Sequence, residues 1–254
     1  MQKELQRQKV LRRKGGNFFL FMKRPKSHSE NHKSASRWRD FILGGQDGLV
    51  NVLGVTLGVA TATKDLSIIL TAAFAATFAE SISMGAVAYT SFKAEKDFYL
   101  SQVKLEEQEI EDIPQKEKQE IKTIYSKLGF RGSLLTQIVD HITANKKRWR
   151  DVMVSQELKL SAPKVSPTNS AWVVGISALV GSIVPTIPFF LMPVSTAMWA
   201  SVFLSTIVLF SVGAYKAKTT TGNIFRSGVE LALIGIAAAL AGYAIGALLG
   251  ATLF

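Results

Sequence analysis

Five long stretches of this sequence carry almost no charge, and they constrain the fold more than any other feature. They cover residues 41–62, 67–92, 171–192, 194–215 and 229–253. Each approximates the roughly 20 residues that a helix needs to cross the hydrocarbon core of a bilayer. Pro185 and Pro188 interrupt the third stretch, which a helix bundle tolerates, and Gly242, Gly246 and Gly250 predict close helix packing in the fifth. The sequence therefore predicts an all-α integral membrane protein with five transmembrane helices.

The basic residues are concentrated in three segments. Of the 30 Lys and Arg residues, 12 lie in residues 1–40, 14 in 93–168 and three in 216–228. Five crossings place these segments on one side of the membrane, and the positive-inside rule makes that side cytoplasmic. We therefore expect a cytoplasmic N-terminus and an extracytoplasmic or luminal C-terminus. The membrane orientation accounts for the net charge of +11 without nucleic-acid binding. The basic runs also lack the aromatic platforms and groove-reading motifs of nucleic-acid-binding proteins.

These patterns divide the chain into four parts. We expect a basic cytoplasmic tail at 1–38, transmembrane helices one and two at 39–92, and helices three to five at 169–254. Between them lies the central module, residues 93–168, whose apolar residues follow helical spacing in three segments. The second transmembrane helix can continue into the first segment, and the third has an interruption signal near Asn145. The chain has no Cys, which excludes disulfides and thiolate metal sites.

Two carboxylates occur inside the predicted membrane helices, Asp47 in the first and Glu80 in the second. Ionisable groups at such positions usually face a bundle interior and mark ion or proton routes. Met84 follows Glu80 by four residues and shares its helical face. A carboxylate with a thioether suits Fe²⁺ better than Mg²⁺ or Ca²⁺. The alternative is that Met84 serves packing and the two carboxylates stabilise each other.

The central module contains an acidic run, LEEQEIEDIPQKEKQE, which contrasts with the basic chain around it. Pairs of potential ligands share one helical face because they are three or four residues apart. These pairs are Glu106 with Glu109, Glu117 with Glu120, and Met153 with Glu157. Three helices can thus direct carboxylates and one thioether to a common point. The alternative is a solvated acidic face balanced by Lys116, Lys118 and Lys122.

The membrane segments resemble a known family. RDFILGGQDGLVNVLGVTLGVA and FAESISMGAVAYTSFKAE are similar to the first two helices of the vacuolar iron transporter family, which includes the yeast calcium-cross-complementer-type iron and manganese transporters. GSIVPTIPF and VELALIGIAAALAGYAIG extend the resemblance into the third and fifth helices. It covers nearly all of the chain from Arg39 to the C-terminus.

The resemblance implies a transporter and not an enzyme. Members of the family export Fe²⁺, and often Mn²⁺, from the cytosol in exchange for protons; Zn²⁺ is a further candidate cargo, and no prosthetic group is implied. The family forms a homodimer with its ion path at the dimer interface. Asp47, Glu80 and Met84 match path-lining positions. The central module corresponds to the family's metal-binding domain, whose ligand positions fall on Glu106, Glu109, Glu117, Glu120, Met153 and Glu157.

One departure from the family concerns the third segment of the module, where two adjacent methionines are common. Here Met153 is followed by Val154, so one soft ligand is missing and the preference for Fe²⁺ over harder ions is in question. The membrane is expected to be vacuolar in a eukaryote and the plasma membrane in a prokaryote. A membrane-anchored metal sensor or scaffold without flux is the alternative function, and the intramembrane carboxylates argue against it.

Overall fold

In the computed structural model, the described residues are 32–163, 165–219 and 222–253. The predicted basic tail, residues 1–38, therefore lies mostly outside the described part. All regular elements in the described ranges are helical. They are α1 (His32–Thr63), α2 (Leu66–Asp112), α3 (Pro114–Lys127), α4 (Gly132–Thr143), α5 (Lys146–Val152), α6 (Pro167–Ile183), α7 (Ile187–Leu191), α8 (Val194–Thr219) and α9 (Ile224–Leu253).

Five helical segments are long and apolar enough to cross a membrane, which confirms the prediction. They lie in Trp38–Thr63, Leu66–Asp112, Pro167–Leu191, Val194–Thr219 and Ile224–Gly250. The third is interrupted as its prolines predict, because a short 3₁₀ turn, Val184–Thr186, separates α6 from α7. Proline lacks the amide hydrogen that continues an α-helix. The hydroxyl of Ser201 in α8 donates to the Pro185 carbonyl at 2.7 Å, so a neighbouring helix satisfies a carbonyl at the break.

Helix α2 is the longest element. It begins at the cap residue Asp65, whose carboxylate accepts hydrogen bonds from the amides of Ser67 and Ile68. It contains 47 residues, which makes it about 70 Å long at 1.5 Å per residue. The hydrocarbon core is about 30 Å thick. Since only the N-terminal part of α2 is apolar, its C-terminal part extends well beyond the bilayer.

Glycines bring the membrane helices into close contact. A Cβ added at Gly44 or Gly48 of α1 would overlap carbonyl oxygens of α6, and one added at Gly242 or Gly246 of α9 would overlap the backbone of α1. Small residues allow such approach in a bilayer, where packing replaces the hydrophobic effect between helices. Helix α1 therefore lies between α6 and α9 with its backbone against both.

Helices α3, α4 and α5 pack on the C-terminal part of α2 around an apolar core of their own. Its buried members are Ile110, Ile121, Leu135, Val139, Ile142, Trp149 and Met153. Asn145 separates α4 from α5, and its side chain accepts a hydrogen bond from the Arg148 amide at 3.0 Å, which caps the new helix. A π-helical turn, Met153–Glu157, follows α5. Such turns are rare and occur frequently at functional sites.

Candidate metal centre

The structure brings Asp47 and Glu80 together inside the membrane segment. Asp47 lies in α1 and Glu80 in α2, both are half-buried, and Glu80 interacts with the side chains of Asp47 and Asn51. The contact between the two carboxylates agrees with the alternative raised from the sequence, in which they interact with each other, and it is equally compatible with a shared cation. Two contacting carboxylates repel each other unless a proton or a cation is held between them. The pair is therefore a candidate site for a cation or a shared proton.

Met84 lies one turn beyond Glu80 on α2, toward the central module. It is half-buried and lines a cavity of about 290 Å³ together with Arg39, Asp40 and Glu95. Met84 thus borders a space that is also lined by charged groups. Met84 therefore has charged as well as apolar neighbours, and packing alone does not account for its surroundings.

Asp40 is a candidate functional residue that sequence reasoning missed. Its exposed fraction is only 1%, and its Oδ2 accepts a hydrogen bond from the Ser170 hydroxyl of α6 at 2.9 Å. The signal that could have found it is spacing, because Asp40 precedes Asp47 by seven residues and shares its helical face. Asp40 directly precedes the first apolar stretch, and a carboxylate at that position is easily interpreted as a solvent-exposed residue at the end of a membrane helix.

In the central module, five glutamates form two triplets that share one member. Carboxylate oxygens of Glu106, Glu109 and Glu117 lie within 4.8 Å of one another, and so do those of Glu117, Glu120 and Glu157. We call these five residues the glutamate cluster. The local cause is the turn at Pro114, which starts α3 directly after α2 and makes the two glutamate pairs face each other. The π-helical turn supplies Glu157 from a third direction.

The centre of the cluster is buried and lacks protein partners. Glu106 is 3% exposed and Glu117 is 1% exposed. One oxygen of Glu106 and both oxygens of Glu117 have no hydrogen-bond partner among the described residues. Buried carboxylates without partners are unfavourable unless they take up protons or bind a cation. The cluster therefore has the properties of a cation site more than those of a stabilising network.

Burial and mutual repulsion change the acidity of these groups. Burial, followed by the charge of Glu157 and then of Glu117, raises the pKa of Glu106 to about 7. Burial, followed by the charges of Glu120 and Glu109, raises the pKa of Glu117 to about 7 as well. The pKa of Glu157 is raised by the same causes. Without metal, the cluster thus holds protons near neutral pH, and a bound cation would release them.

The lysines of the solvated-face alternative lie around the cluster and not at its centre. Lys116 pairs with Glu120 at 3.4 Å, and Lys118 pairs with Asp140 at 2.7 Å. Lys122 is exposed. Since the two buried carboxylates remain without a basic partner in the described part of the chain, the solvated-face alternative explains only the periphery.

Met153 lies in the apolar core directly associated with this cluster. It is fully buried and belongs to the same group of side chains as Ile110, Ile121 and Trp149. Ile110 adjoins Glu109 in sequence and Ile121 adjoins Glu120, so Met153 packs against the helices that carry the glutamates. Val154, which follows Met153, is also buried, at 4% exposure. The five glutamates are therefore assembled, and Met153 is positioned in the apolar layer next to them.

Comparison with known sequences identifies the group to which this arrangement belongs. Residues 38–247 match the profile of the VIT family. The chain belongs to the VIT family. The matched residues include all the candidate site residues in the membrane helices and in the central module. As a VIT family member, the chain is a membrane carrier and not an enzyme.

Relatives from distant organisms support this assignment. The protein named vacuolar iron transporter 1 of Tulipa gesneriana is 33% identical over 221 residues, covering 86% of this chain and 90% of its own length. The Arabidopsis thaliana protein of the same name is also 33% identical over 221 residues, with 86% and 88% coverage. The vacuolar iron transporter of Plasmodium falciparum is 29% identical over 234 residues, with 87% and 86% coverage. This VIT family protein therefore aligns with each of the three relatives over most of their length.

Proposed function

We propose that this protein moves Fe²⁺, and also Mn²⁺, out of the cytosol in exchange for protons. The observation that carries the proposal is the contact between Asp47 and Glu80 within the membrane segment of a VIT family chain. Relatives are named for iron transport, and ionisable residues within membrane segments are energetically costly and usually mark ion or proton pathways. Zn²⁺ is a further candidate cargo for the same ligands.

The membrane step follows from competition between metal and protons. A divalent ion bound by Asp47, Glu80 and the Met84 thioether requires ionised carboxylates, whereas the empty pair favours protonation because like charges repel. Protons that arrive from the far side therefore displace the ion, and loss of these protons to the cytosol restores the site. The thioether favours Fe²⁺ over harder cations of the same charge.

We assign the central module to the cytosol as a metal collector. The glutamate cluster supplies hard oxygen ligands from Glu106, Glu109, Glu117, Glu120 and Glu157, and Met153 supplies a softer group beside them. The raised pKa of the central carboxylates makes capture depend on pH in the physiological range. This role also explains why a basic chain concentrates acidic residues in one place, since each carboxylate lowers the cost of holding a cation near the membrane.

The working unit that we propose is a homodimer with the ion path between its protomers. A single protomer leaves much of the apolar part of α2 uncovered, including Val87, which shares the helical face of Glu80 and is 53% exposed. Glu80 belongs to this part of α2 and is itself only half-buried. A second copy packed on α2 would cover this face and place two Asp47–Glu80 pairs near each other.

Flux through purified protein tests this proposal. Proteoliposomes with an acid interior and the central module outside are supplied with Fe²⁺, and metal uptake and internal pH are followed together. We expect uptake coupled to internal alkalinisation in the wild type and in Glu111→Gln, an exposed control. Asp47→Asn and Glu80→Gln should lose both signals. Metal binding without flux in the wild type would instead identify a membrane-anchored sensor or scaffold.

A further inference from the structure

The cytoplasmic end of α1 carries an ion pair between neighbouring residues that differ strongly in exposure. The Arg39 side chain is 66% exposed, whereas that of Asp40 is 2% exposed. The adjacent Trp38 contacts Tyr215 of α8, with ring centroids 5.4 Å apart. Such aromatic residues are typical of the level where a helix passes from hydrocarbon to headgroups. The pair therefore lies at the membrane boundary.

Both carboxylate oxygens of Asp40 are occupied. Arg39 donates to Oδ1 through Nη2 at 3.3 Å and through Nε at 3.4 Å. Ser170 of α6 donates to Oδ2 at 2.9 Å. The Arg39 contacts are long for a charge-assisted hydrogen bond, which is about 2.7–2.9 Å when well formed. Oδ1 is therefore held by the weaker of the two partners, and this partner is the exposed one.

The guanidinium also makes a second, weak contact with α2. It lies over the ring of Phe92 in α2, 5.6 Å from the ring centroid, which is within the range of a cation–π interaction. Arg39 thus bridges α1 and α2 where α2 leaves the bilayer. An exposed interaction of this kind is weak, so the guanidinium can leave at small cost and return.

The pair forms part of the wall of the cavity that contains Met84. This cavity of about 290 Å³ is lined by residues of α1, α2 and α6, among them Arg39, Asp40, Met84 and Glu95. Since a water molecule in the liquid occupies about 30 Å³, the space is large enough for an ion with part of its hydration shell. An ion that reaches Met84 from this side passes Asp40.

We propose that Arg39 is a tethered cation that occupies Asp40 between transport events and yields its place to a divalent metal ion. This inference rests on the proposed transport function and adds a selectivity element to it. A divalent ion competes for Oδ1 with twice the charge of the guanidinium, whereas a monovalent ion has no such advantage. Ser170 continues to donate to Oδ2, so the two cations compete for Oδ1.

A purely structural role for Arg39 gives a different expectation. If Arg39 only neutralised a buried carboxylate, its loss would lower the amount of folded protein or the maximal rate. A competing cation instead lowers the apparent affinity of the site for metal, so its removal lowers the KM. The KM for the metal and the inhibition by monovalent ions therefore distinguish the two roles of Arg39.

The test uses Fe²⁺ flux into proteoliposomes at several metal concentrations, with and without excess Na⁺. In Arg39→Gln we expect the KM for Fe²⁺ to fall about two- to fivefold, the scale of one exposed ion pair, and inhibition by Na⁺ to increase. Arg39→Lys keeps the charge but not the forked contact, so its values should lie between those of the wild type and of Arg39→Gln. Phe92→Leu removes only the cation–π contact and should lower the KM to a smaller extent.

The outcomes separate the two proposals. A KM that is unchanged or higher in Arg39→Gln, with unaltered Na⁺ inhibition, would overturn the role of Arg39 while leaving transport intact. Absence of flux in the wild type would instead overturn the transport proposal itself. If Arg39→Gln does not fold, Phe92→Leu decides, because an unchanged or raised KM in this variant contradicts the proposed competition.

Discussion

A carboxylate oxygen of Glu106 lies within 4.8 Å of one from Glu117, although Pro114 separates the helices that carry them. Both residues are buried, and oxygens of both lack partners in the described part of the chain. Their helices are held in this arrangement by the apolar core beneath them, which includes Ile110 and Ile121. The free energy of packing thus maintains two carboxylates at a distance that their charges oppose.

The first prediction concerns pH and metal affinity. The pKa of both central carboxyls is about 7 without metal, so metal must displace protons below this pH. Between pH 7 and pH 6 we expect affinity to fall about fivefold for each proton released. Titration calorimetry of the Asp47→Asn protein with Mn²⁺ at pH 6, 7 and 8 measures this. Equal affinity at all three values would contradict the buried cluster as the binding site.

The same pKa values predict how stability depends on pH. A carboxyl whose pKa is raised on folding binds more protons in the folded than in the unfolded state between its ordinary pKa of 4.5 and about 7. The stability of the metal-free protein should therefore decrease as pH rises through this window. Thermal unfolding at pH 5.5 and 8 without metal should give the higher Tm at pH 5.5. Saturating metal should reduce or reverse this difference, since it favours the ionised form.

Removing one buried charge should stabilise the empty protein and weaken metal binding. In Glu117→Gln, the repulsion within the cluster decreases, and we expect the Tm without metal at pH 8 to rise by about 2–4 °C, as roughly 1 kcal/mol produces in a chain of this size. The increase of Tm on adding Mn²⁺ should become smaller. Glu111→Gln is the matched control, because Glu111 is exposed and pairs with Lys146 at 2.9 Å. A loss of stability in Glu117→Gln would contradict the repulsion argument.

Close packing of α1 on α9 gives a prediction with an internal control. A Cβ at Gly242 would overlap the backbone of Gly54, whereas a Cβ at Gly54 would meet its nearest neighbour, the Ala238 carbonyl, at an ordinary 3.5 Å. Gly242→Ala should therefore destabilise the protein by about 1–3 kcal/mol through overpacking. Gly54→Ala should be tolerated. Thermal unfolding in detergent compares them, and equal Tm values would mean that the helices separate without cost.

Thioether chemistry at Met84 should be visible in ion preference. Met84→Leu conserves volume approximately but removes the sulfur, so the KM for Fe²⁺ should increase more than the KM for Mn²⁺, the harder ion. The matched control is Met198→Leu, since Met198 packs against apolar clusters of the bundle. Parallel flux measurements with both ions give the ratio. Equal changes for the two ions would indicate that Met84 acts through packing alone.

The sequence predicted those features that depend on local pattern. Uncharged stretches predicted the membrane helices, prolines predicted the break between α6 and α7, and helical spacing predicted which glutamates share a face. The partners could not be predicted in this way, because they depend on tertiary contacts. Asp40 meets Ser170 across 130 positions of sequence, and the glycines of α9 indicate close packing without indicating α1 as their partner. The part boundaries and the membrane orientation remain predictions.

The unbroken helix α2 has a consequence for the supply of metal. Glu80 and Glu106 are 26 residues apart on this one helix, which corresponds to about 39 Å. This distance excludes direct transfer of an ion from one set of ligands to the other. An ion released from the glutamate cluster is nevertheless still close to the membrane site. One ion in a sphere whose radius is this separation corresponds to a local concentration on the order of 10 mM. The cluster can thus act as a reservoir whose distance from the membrane is set by helix length.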